Sequence, residues 1–154
     1  MNAAPAWQFR EATLKDVDNL VALEHRCFEY SRMGARSFKR LLAAPSAHIY
    51  VCEQNGVLLG YYLSLTRKNS RRWRLYSIAA APEARGTGLG RALLEHAIEV
   101  ARNNAAISLN LEVKTDNATA IRLYEKLDFA VIDLLPEYYD DGTDGYRMRL
   151  SFTH

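Results

Sequence analysis

The spacing of apolar positions changes several times along the chain, and each change marks an element. Gln8 to Ala12 reads as a short strand. Thr13-Leu14-Lys15-Asp16 then has the form of a capping box with Thr13 as N-cap. Val17, Leu20, Val21, Cys27 and Phe28 give the following helix its apolar stripe. The pattern predicts a second short helix over Ser37 to Ala44, with Phe38, Leu41 and Leu42 inward and Pro45 closing it. Between the two helices, Tyr30 to Arg36 reads as a loop, a common place for a substrate-binding edge. His48 to Glu53 and Val57 to Thr66 are β-rich and joined by Asn55-Gly56, a strong hairpin signal. A third strand runs from Trp73 to Ala80, and Pro82 stops it.

Helical spacing returns at Leu89, Ala92, Leu93, His96, Ala97 and Val100, and predicts a helix to about Arg102. Ile107, Leu109, Leu111 and Val113 then alternate with Ser108, Asn110, Glu112 and Lys114, which is a strand. A strand, a helix and a strand in this order form a right-handed crossover with parallel strands. Asp116 is placed to cap the next helix, where Ala120, Ile121, Tyr124 and Leu127 share a face. Asp128 falls where that helix should end in the left-handed conformation. Two last strands, about Ala130 to Leu134 and Tyr146 to Phe152, flank an acidic loop from Glu137 to Asp144. The expected fold is α/β, with a mixed sheet and helices on both faces. Its N-terminal strands form an antiparallel meander and its central strands are parallel.

Composition narrows the class. With 154 residues, 49% apolar and 25% charged, the chain reads as one globular domain, residues 1–154, without repeats or linkers. A net charge of +2 does not argue for nucleic acid. Met1 to Asp16 has no apolar run of signal-peptide length, and no segment approaches the roughly 20 apolar residues of a membrane span. Cys27 and Cys52 read as reduced core thiols. The expectation is a cytoplasmic protein with no membrane partner.

The chemistry concentrates at Arg85-Gly86-Thr87-Gly88-Leu89-Gly90. Alternate glycines let the backbone approach a ligand closely, and the helix that follows offers unpaired N–H donors and a positive dipole end. Such a spot suits a phosphate or pyrophosphate, with Arg85 and Arg91 adding charge. A nucleotide P-loop needs Lys and then Ser or Thr after its last glycine, whereas Arg91-Ala92 follows Gly90. A dinucleotide site needs a third glycine where Arg91 stands, although Glu112 lies roughly where a ribose-binding acid would. Coenzyme A, whose pyrophosphate has the same needs, is the third reading.

Arg85-Gly86-Thr87-Gly88-Leu89-Gly90 resembles the Arg/Gln-x-x-Gly-x-Gly/Ala signature of the GCN5-related N-acetyltransferases. The segment from Asn117 to Phe129, with Ala120, Leu123-Tyr124-Glu125-Lys126 and Phe129 at the matching positions, resembles a second motif of that family. Asp128 replaces the usual glycine there. Leu111-Glu112-Val113, and Tyr138-Tyr139 before Asp141-Gly142, are most similar to the bacterial ribosomal-protein N-terminal-alanine acetyltransferase branch. The resemblance implies acetyl-CoA as cosubstrate, with no metal. It implies that Arg85, Gly86, Thr87, Gly88, Leu89, Gly90 and Arg91 hold the pyrophosphate. By the same resemblance Ile78, Ala79 and Ala80 run beside the pantetheine, Asn117 contacts the cofactor, and Tyr124 lies near the sulfur.

Acetyl transfer to an amine needs a neutral nucleophile and a protonated leaving thiolate. Glu112, near the end of its strand, is the candidate base, directly or through water; as a plain strand-face carboxylate it would only be solvated. Tyr124 is the candidate acid, a role compatible with packing on its helix's apolar stripe. Tyr138 and Tyr139 are candidates for contacting the substrate backbone, or else pack over the cleft. The acidic run Glu137, Asp140, Asp141 and Asp144 reads as a solvated face that could also steer a cation. Arg67, Lys68, Arg71 and Arg72 read as a solvated turn, with ribosomal RNA contact as the sharper alternative. His25, His48, His96 and His154 do not cluster in the sequence, so no metal site is inferred. The expected acceptor is a protein or peptide N-terminal α-amine. A small amine such as a polyamine, or a non-catalytic acyl-CoA-binding module, are the alternatives.

Overall fold

The computed structural model describes residues 7–29 and 32–153. The elements are β1 (Phe9–Glu11), α1 (Val17–Cys27), α2 (Ala35–Leu42), β2 (Ala47–Gln54), β3 (Val57–Leu65), β4 (Arg72–Ala80), α3 (Leu89–Asn103), β5 (Ser108–Lys114), α4 (Ala118–Lys126), β6 (Ala130–Leu135) and β7 (Gly145–Ser151). One seven-stranded sheet takes the order β1-β2-β3-β4-β5-β7-β6. All neighbours run antiparallel except β4 and β5, which are parallel. The expected meander and parallel crossover are both present.

Local chemistry explains the boundaries. Asn55 and Gly56 both take positive φ, 52° and 78°, which turns β2 tightly into β3. Asp16 accepts the backbone N–H of Thr13 at 2.8 Å, as the capping box predicts. The same carboxylate is held by Arg10 at 2.8 and 2.9 Å, which ties β1 to the start of α1. The cap of α4 differs from expectation. Asn117, not Asp116, is the N-cap, and its Oδ1 accepts from Ala120 N at 3.3 Å. Asp116 lies one residue too early for its side chain to reach the first-turn amides. Asp128 adopts φ 73°, the left-handed end expected of it. Of the loop expected over Tyr30 to Arg36, residues 30 and 31 lie outside the described residues, as does His154.

Each face of the sheet carries its own core. Val17, Leu20 and Leu23 of α1 and Phe38 of α2 pack on Val51, Tyr61 and Leu63 of β2 and β3. On the other face, Leu89, Leu93, Leu94 and Ala97 of α3 pack on Trp73, Leu75, Leu109 and Leu111. The approach of α3 is close. A Cβ added to Gly60 of β3 would meet Leu93 Cδ1 at 2.9 Å and Leu89 Cδ2 at 3.2 Å.

Two features of β4 shape the cleft. Only Arg72, Trp73 and Arg74 pair with β5, opposite Ser108, Leu109 and Asn110, and beyond Arg74 the strands part. Across from β3, Leu63 faces Ser77 while Ser64 faces Leu75, so Tyr76 is an extra residue without a partner in the register. Such a bulge re-aims the side chains that follow it. Before it Trp73 and Leu75 face the α3 core; after it Ala79 joins the α1 core.

Candidate active site

The parting of β4 and β5 opens a cavity of about 180 Å³. Leu75, Tyr76, Ser77 and Ile78 line one wall, and Leu111 and Glu112 the other, with Tyr124 of α4 and Phe28 at the end of α1 closing it. Two residues distant in the sequence motifs, Glu112 and Tyr124, thus meet at one cleft.

Glu112 is far from a solvated strand-face group. Its side chain is only 7% exposed and is ion-paired with Arg74. Tyr138 donates its hydroxyl to Glu112 Oε1 at 3.3 Å and accepts from Arg74 Nη2 at 3.3 Å. The guanidinium of Arg74 also lies over the Tyr76 ring, 5.2 Å from its centroid. Tyr139 packs edge-on against Tyr138 at 5.1 Å and lies beside the Lys114 ammonium, which is 5.4 Å from its ring centre. Burial, with the neighbouring Tyr138 and Glu112 charges adding to it, pushes the Tyr139 hydroxyl up to about 12.

Tyr124 is held against Phe129, with ring centres 5.9 Å apart. Burial raises its pKa above the ordinary tyrosine value, so the hydroxyl keeps its proton at neutral pH. A packed, protonated phenol in the lining of the cleft can donate a proton.

The glycine loop expected to hold a pyrophosphate leaves its backbone uncovered. Gly86 and Gly88 take φ 80° and 89°, and a Cβ at Gly86, Gly88 or Gly90 would meet nothing within 4 Å. The space beside this backbone is open, and the first-turn N–H groups of α3 have no intrahelical acceptor. Two candidate residues there do more than face a ligand. Leu89 is fully buried in the α3 core, so only its backbone can take part, and that N–H lies 3.4 Å from Thr87 Oγ1. Arg91 is ion-paired with Glu95 at 2.7 Å. Arg85 lies beside the Cys27 thiol, opposing the upward push of burial on its pKa. Ile78 lines the cleft, Ala79 faces the α1 core, and the Ala80 carbonyl accepts from Cys27 Sγ at 3.4 Å.

Sequence reasoning missed Arg74 and the Tyr76 bulge. Arg74 stood in a plain alternating strand, and a bulge has no composition of its own. The acidic loop is also more ordered than a solvated run. Asp144 caps Glu137 N at 2.8 Å, and Asp141 takes Lys114 Nζ at 2.7 Å and Thr143 N at 3.0 Å. Among the described residues no group of three or more His, Cys, Asp or Glu is arranged to hold a metal ion.

The chain is similar to several known proteins. An uncharacterized protein of Mycobacterium leprae is 37% identical over 142 residues, which is 89% of this chain and 38% of that protein. The chain therefore spans well under half the length of that relative. The N-alpha-acetyltransferase RimI of Mycobacterium tuberculosis is 34% identical over 116 residues, 73% of this chain and 72% of that one. The crystal structure of the ribosomal-protein-S18-alanine N-acetyltransferase from Escherichia coli superimposes with a TM-score of 0.87 at 27% identity, covering 97% of this chain and 96% of that one. The family model described as the acetyltransferase (GNAT) family matches residues 14–129. This chain is a member of the GNAT acetyltransferase family.

Proposed function

We propose that this enzyme acetylates the α-amine of a protein or peptide N-terminus, using acetyl-CoA bound along the β4–β5 cleft. The observation that carries the reading is the convergence of Glu112, Tyr124 and Tyr138 on the point where β4 leaves β5. The names of the mycobacterial and Escherichia coli relatives point to the same class of acceptor.

Residues Arg85 to Arg91 would hold the pyrophosphate through backbone N–H groups and the dipole of α3. The free edge of β4 beyond Arg74 would pair with the pantetheine amides, as an added strand does. Bound there, acetyl-CoA supplies an activated acyl group. Glu112 takes a proton from the incoming ammonium, directly or through water, so that a neutral amine attacks. Tyr124 gives its proton to the departing thiolate. Tyr138 and Tyr139 line the acceptor side, where Tyr138 fixes the Glu112 carboxylate in place. Asn117, whose Oδ1 caps α4, would offer the cofactor its amide nitrogen.

The test is a turnover screen with acetyl-CoA against peptides with a free small N-terminal residue, the same peptides with blocked N-termini, and polyamines. Turnover of the free peptides alone is the expected result. Rates on spermidine with none on any peptide would move the enzyme to the small-amine class.

A further inference from the structure

A line of three hydrogen-bonded side chains runs from inside the α1 core to the wall of the cleft, and neither Glu112 nor Tyr124 is part of it. Glu24 of α1 is only 2% exposed, a costly place for a carboxylate unless its oxygens are satisfied. Its Oε1 accepts the backbone N–H of Met33 at 2.8 Å, and its Oε2 accepts the hydroxyl of Tyr61 on β3 at 2.8 Å. The Tyr61 oxygen in turn lies 2.8 Å from Ser77 Oγ on β4. Ser77 is half-buried and lines the cleft together with Glu112 and Tyr124. The Tyr76 bulge explains how Ser77 joins this line. Trp73 and Leu75 face the α3 core, and strict alternation would send Ser77 the same way. The extra residue turns it instead to the α1 face, which it shares with Tyr61 and Ala79.

The direction of each bond follows from what each group can donate. A carboxylate only accepts, so the single Tyr61 proton goes to Glu24. Burial, and after it the Glu24 charge, raises the Tyr61 pKa, so that proton stays on the phenol. Met33 Sδ, 4.0 Å from the same hydroxyl, is the weaker acceptor. With its own proton committed, the Tyr61 oxygen accepts from Ser77. The Ser77 proton is thereby committed as well, and its oxygen keeps acceptor capacity at the cleft wall. A buried charge two side chains away thus fixes the sense of the whole line, and aligned bonds of this kind strengthen one another.

We propose that Ser77 contacts the acceptor by taking a hydrogen bond from its α-amine, and that Tyr61 and Glu24 are positioning residues that keep Ser77 an acceptor. The inference rests on the reading of the enzyme as an N-terminal acetyltransferase. An α-ammonium carries three N–H groups. Glu112 takes one proton, Ser77 holds a second N–H, and the lone pair so released is oriented for attack.

The experiment measures kcat/KM for a peptide with a free small N-terminal residue, and acetyl-CoA affinity by calorimetric titration. Ser77→Ala should lower kcat/KM by about tenfold or more, the scale of one hydrogen bond to a charged group, and leave acetyl-CoA affinity unchanged. Glu24→Gln tests the line itself. The Met33 N–H still needs an oxygen, so the new amide nitrogen falls opposite Tyr61 and donates to it. Tyr61 then donates to Ser77, and Ser77 meets the ammonium with a proton. Glu24→Gln should therefore be worse than Ser77→Ala. Adding Ser77→Ala to Glu24→Gln should raise kcat/KM back to the level of Ser77→Ala alone, because the misdirected hydroxyl is gone. A line that only braces the fold predicts the opposite, a double variant at least as impaired as Glu24→Gln. That result, or parent-like kcat/KM in Ser77→Ala, would overturn the inference and leave N-terminal acetylation standing. The Ser77→Ala arm leaves the buried carboxylate and its bonds intact, so a misfolded Glu24 variant cannot obscure it. Weakened acetyl-CoA binding in Ser77→Ala would assign the hydroxyl to an amide of the cofactor and overturn the inference as well. Turnover of polyamines with no peptide accepted would overturn both readings together.

Discussion

Asn110 donates its side-chain amide to the backbone carbonyl of Trp73 at 3.0 Å, at the last registers before β4 and β5 separate. The bond pins the vertex of the cleft. The same amide nitrogen lies 3.0 Å from Ser108 Oγ, and Arg149 Nε donates to the Asn110 oxygen at 2.6 Å. Three strands are therefore tied at one buried side chain, two residues before Glu112.

Asn110→Leu keeps the volume and removes every one of these bonds. Loss of a buried hydrogen-bonding partner costs about 1–3 kcal/mol. For a chain of this size each kcal/mol lowers the melting midpoint by about 2–4 °C. The expected result is a lower midpoint together with weakened kcat/KM, since both walls of the cleft shift at their junction. An unchanged midpoint in a thermal melt would show that the vertex is held by the ladder alone.

Much of this arrangement could be read from the sequence, and the reasons are specific. Asn55-Gly56, the alternation from Ile107 to Lys114 and the glycine loop are local signals whose backbone demands few other residue types meet. Pro82 and Asp128 likewise mark ends that the structure has. Glu112 could be picked out by strand position, but its burial could not, because that depends on Arg74 and Tyr138 from β4 and from the loop before β7. The choice of Asn117 over Asp116 as cap depended on a one-residue phase of α4 that apolar spacing does not resolve. The placement of β7 between β5 and β6 is a long-range pairing without a local signature.

Gly88 separates backbone strain from ligand exclusion. Its φ of 89° strains any residue with a Cβ, yet a Cβ there meets no protein atom within 4 Å. Gly88→Val should cost about 1–3 kcal/mol in stability and also fill the space left for pyrophosphate. Gly88→Asn tolerates the left-handed conformation far better, so most of the stability should return. Acetyl-CoA affinity should remain at least about tenfold weaker in both, the scale of one or two lost charge-assisted bonds. Calorimetric titration decides the point: parent-like affinity in Gly88→Asn would place the pyrophosphate elsewhere.

His96 on α3 gives the fold a pH dependence of known sign. Its Nδ1 lies 2.7 Å from the Tyr62 hydroxyl, and its ring is flanked by Phe9 and Tyr50 at 4.6 and 4.9 Å. Burial lowers its pKa, against a small opposing effect of Glu99. The folded state thus favours neutral imidazole. Its contribution to stability is complete above the unfolded pKa of about 6.5 and is lost as pH falls through that value toward the lowered folded one. Burial lowers His48 in the same direction. The melting midpoint should fall between pH 7.5 and 5.5, and His96→Gln should flatten that fall, with His48→Gln flattening it further. Asp16, held down chiefly by Arg10, titrates below this window and does not contribute to it. Superimposable profiles for parent and His96→Gln would show that the imidazole keeps its ordinary affinity for protons.

Glu112 and Tyr124 should be distinguishable by pH. Glu112→Gln preserves shape and removes the base, so acetyl-CoA binding should persist while kcat falls by about 100-fold to 10,000-fold at neutral pH. Raising the pH should restore part of the rate, because more of the acceptor amine is already neutral. Tyr124→Phe keeps the ring against Phe129 and removes only the proton donor. Its rate should also fall, but alkaline conditions supply no proton to a leaving thiolate and should not rescue it. Burial holds the Tyr124 pKa above the ordinary value, so the parent should keep its activity through pH 9 without loss from this group. The measurements are kcat and kcat/KM from pH 6 to 9 under conditions where chemistry limits the rate. Full turnover in both variants would remove Glu112 and Tyr124 from the mechanism and leave the acetyl-CoA cleft to be tested through Gly88.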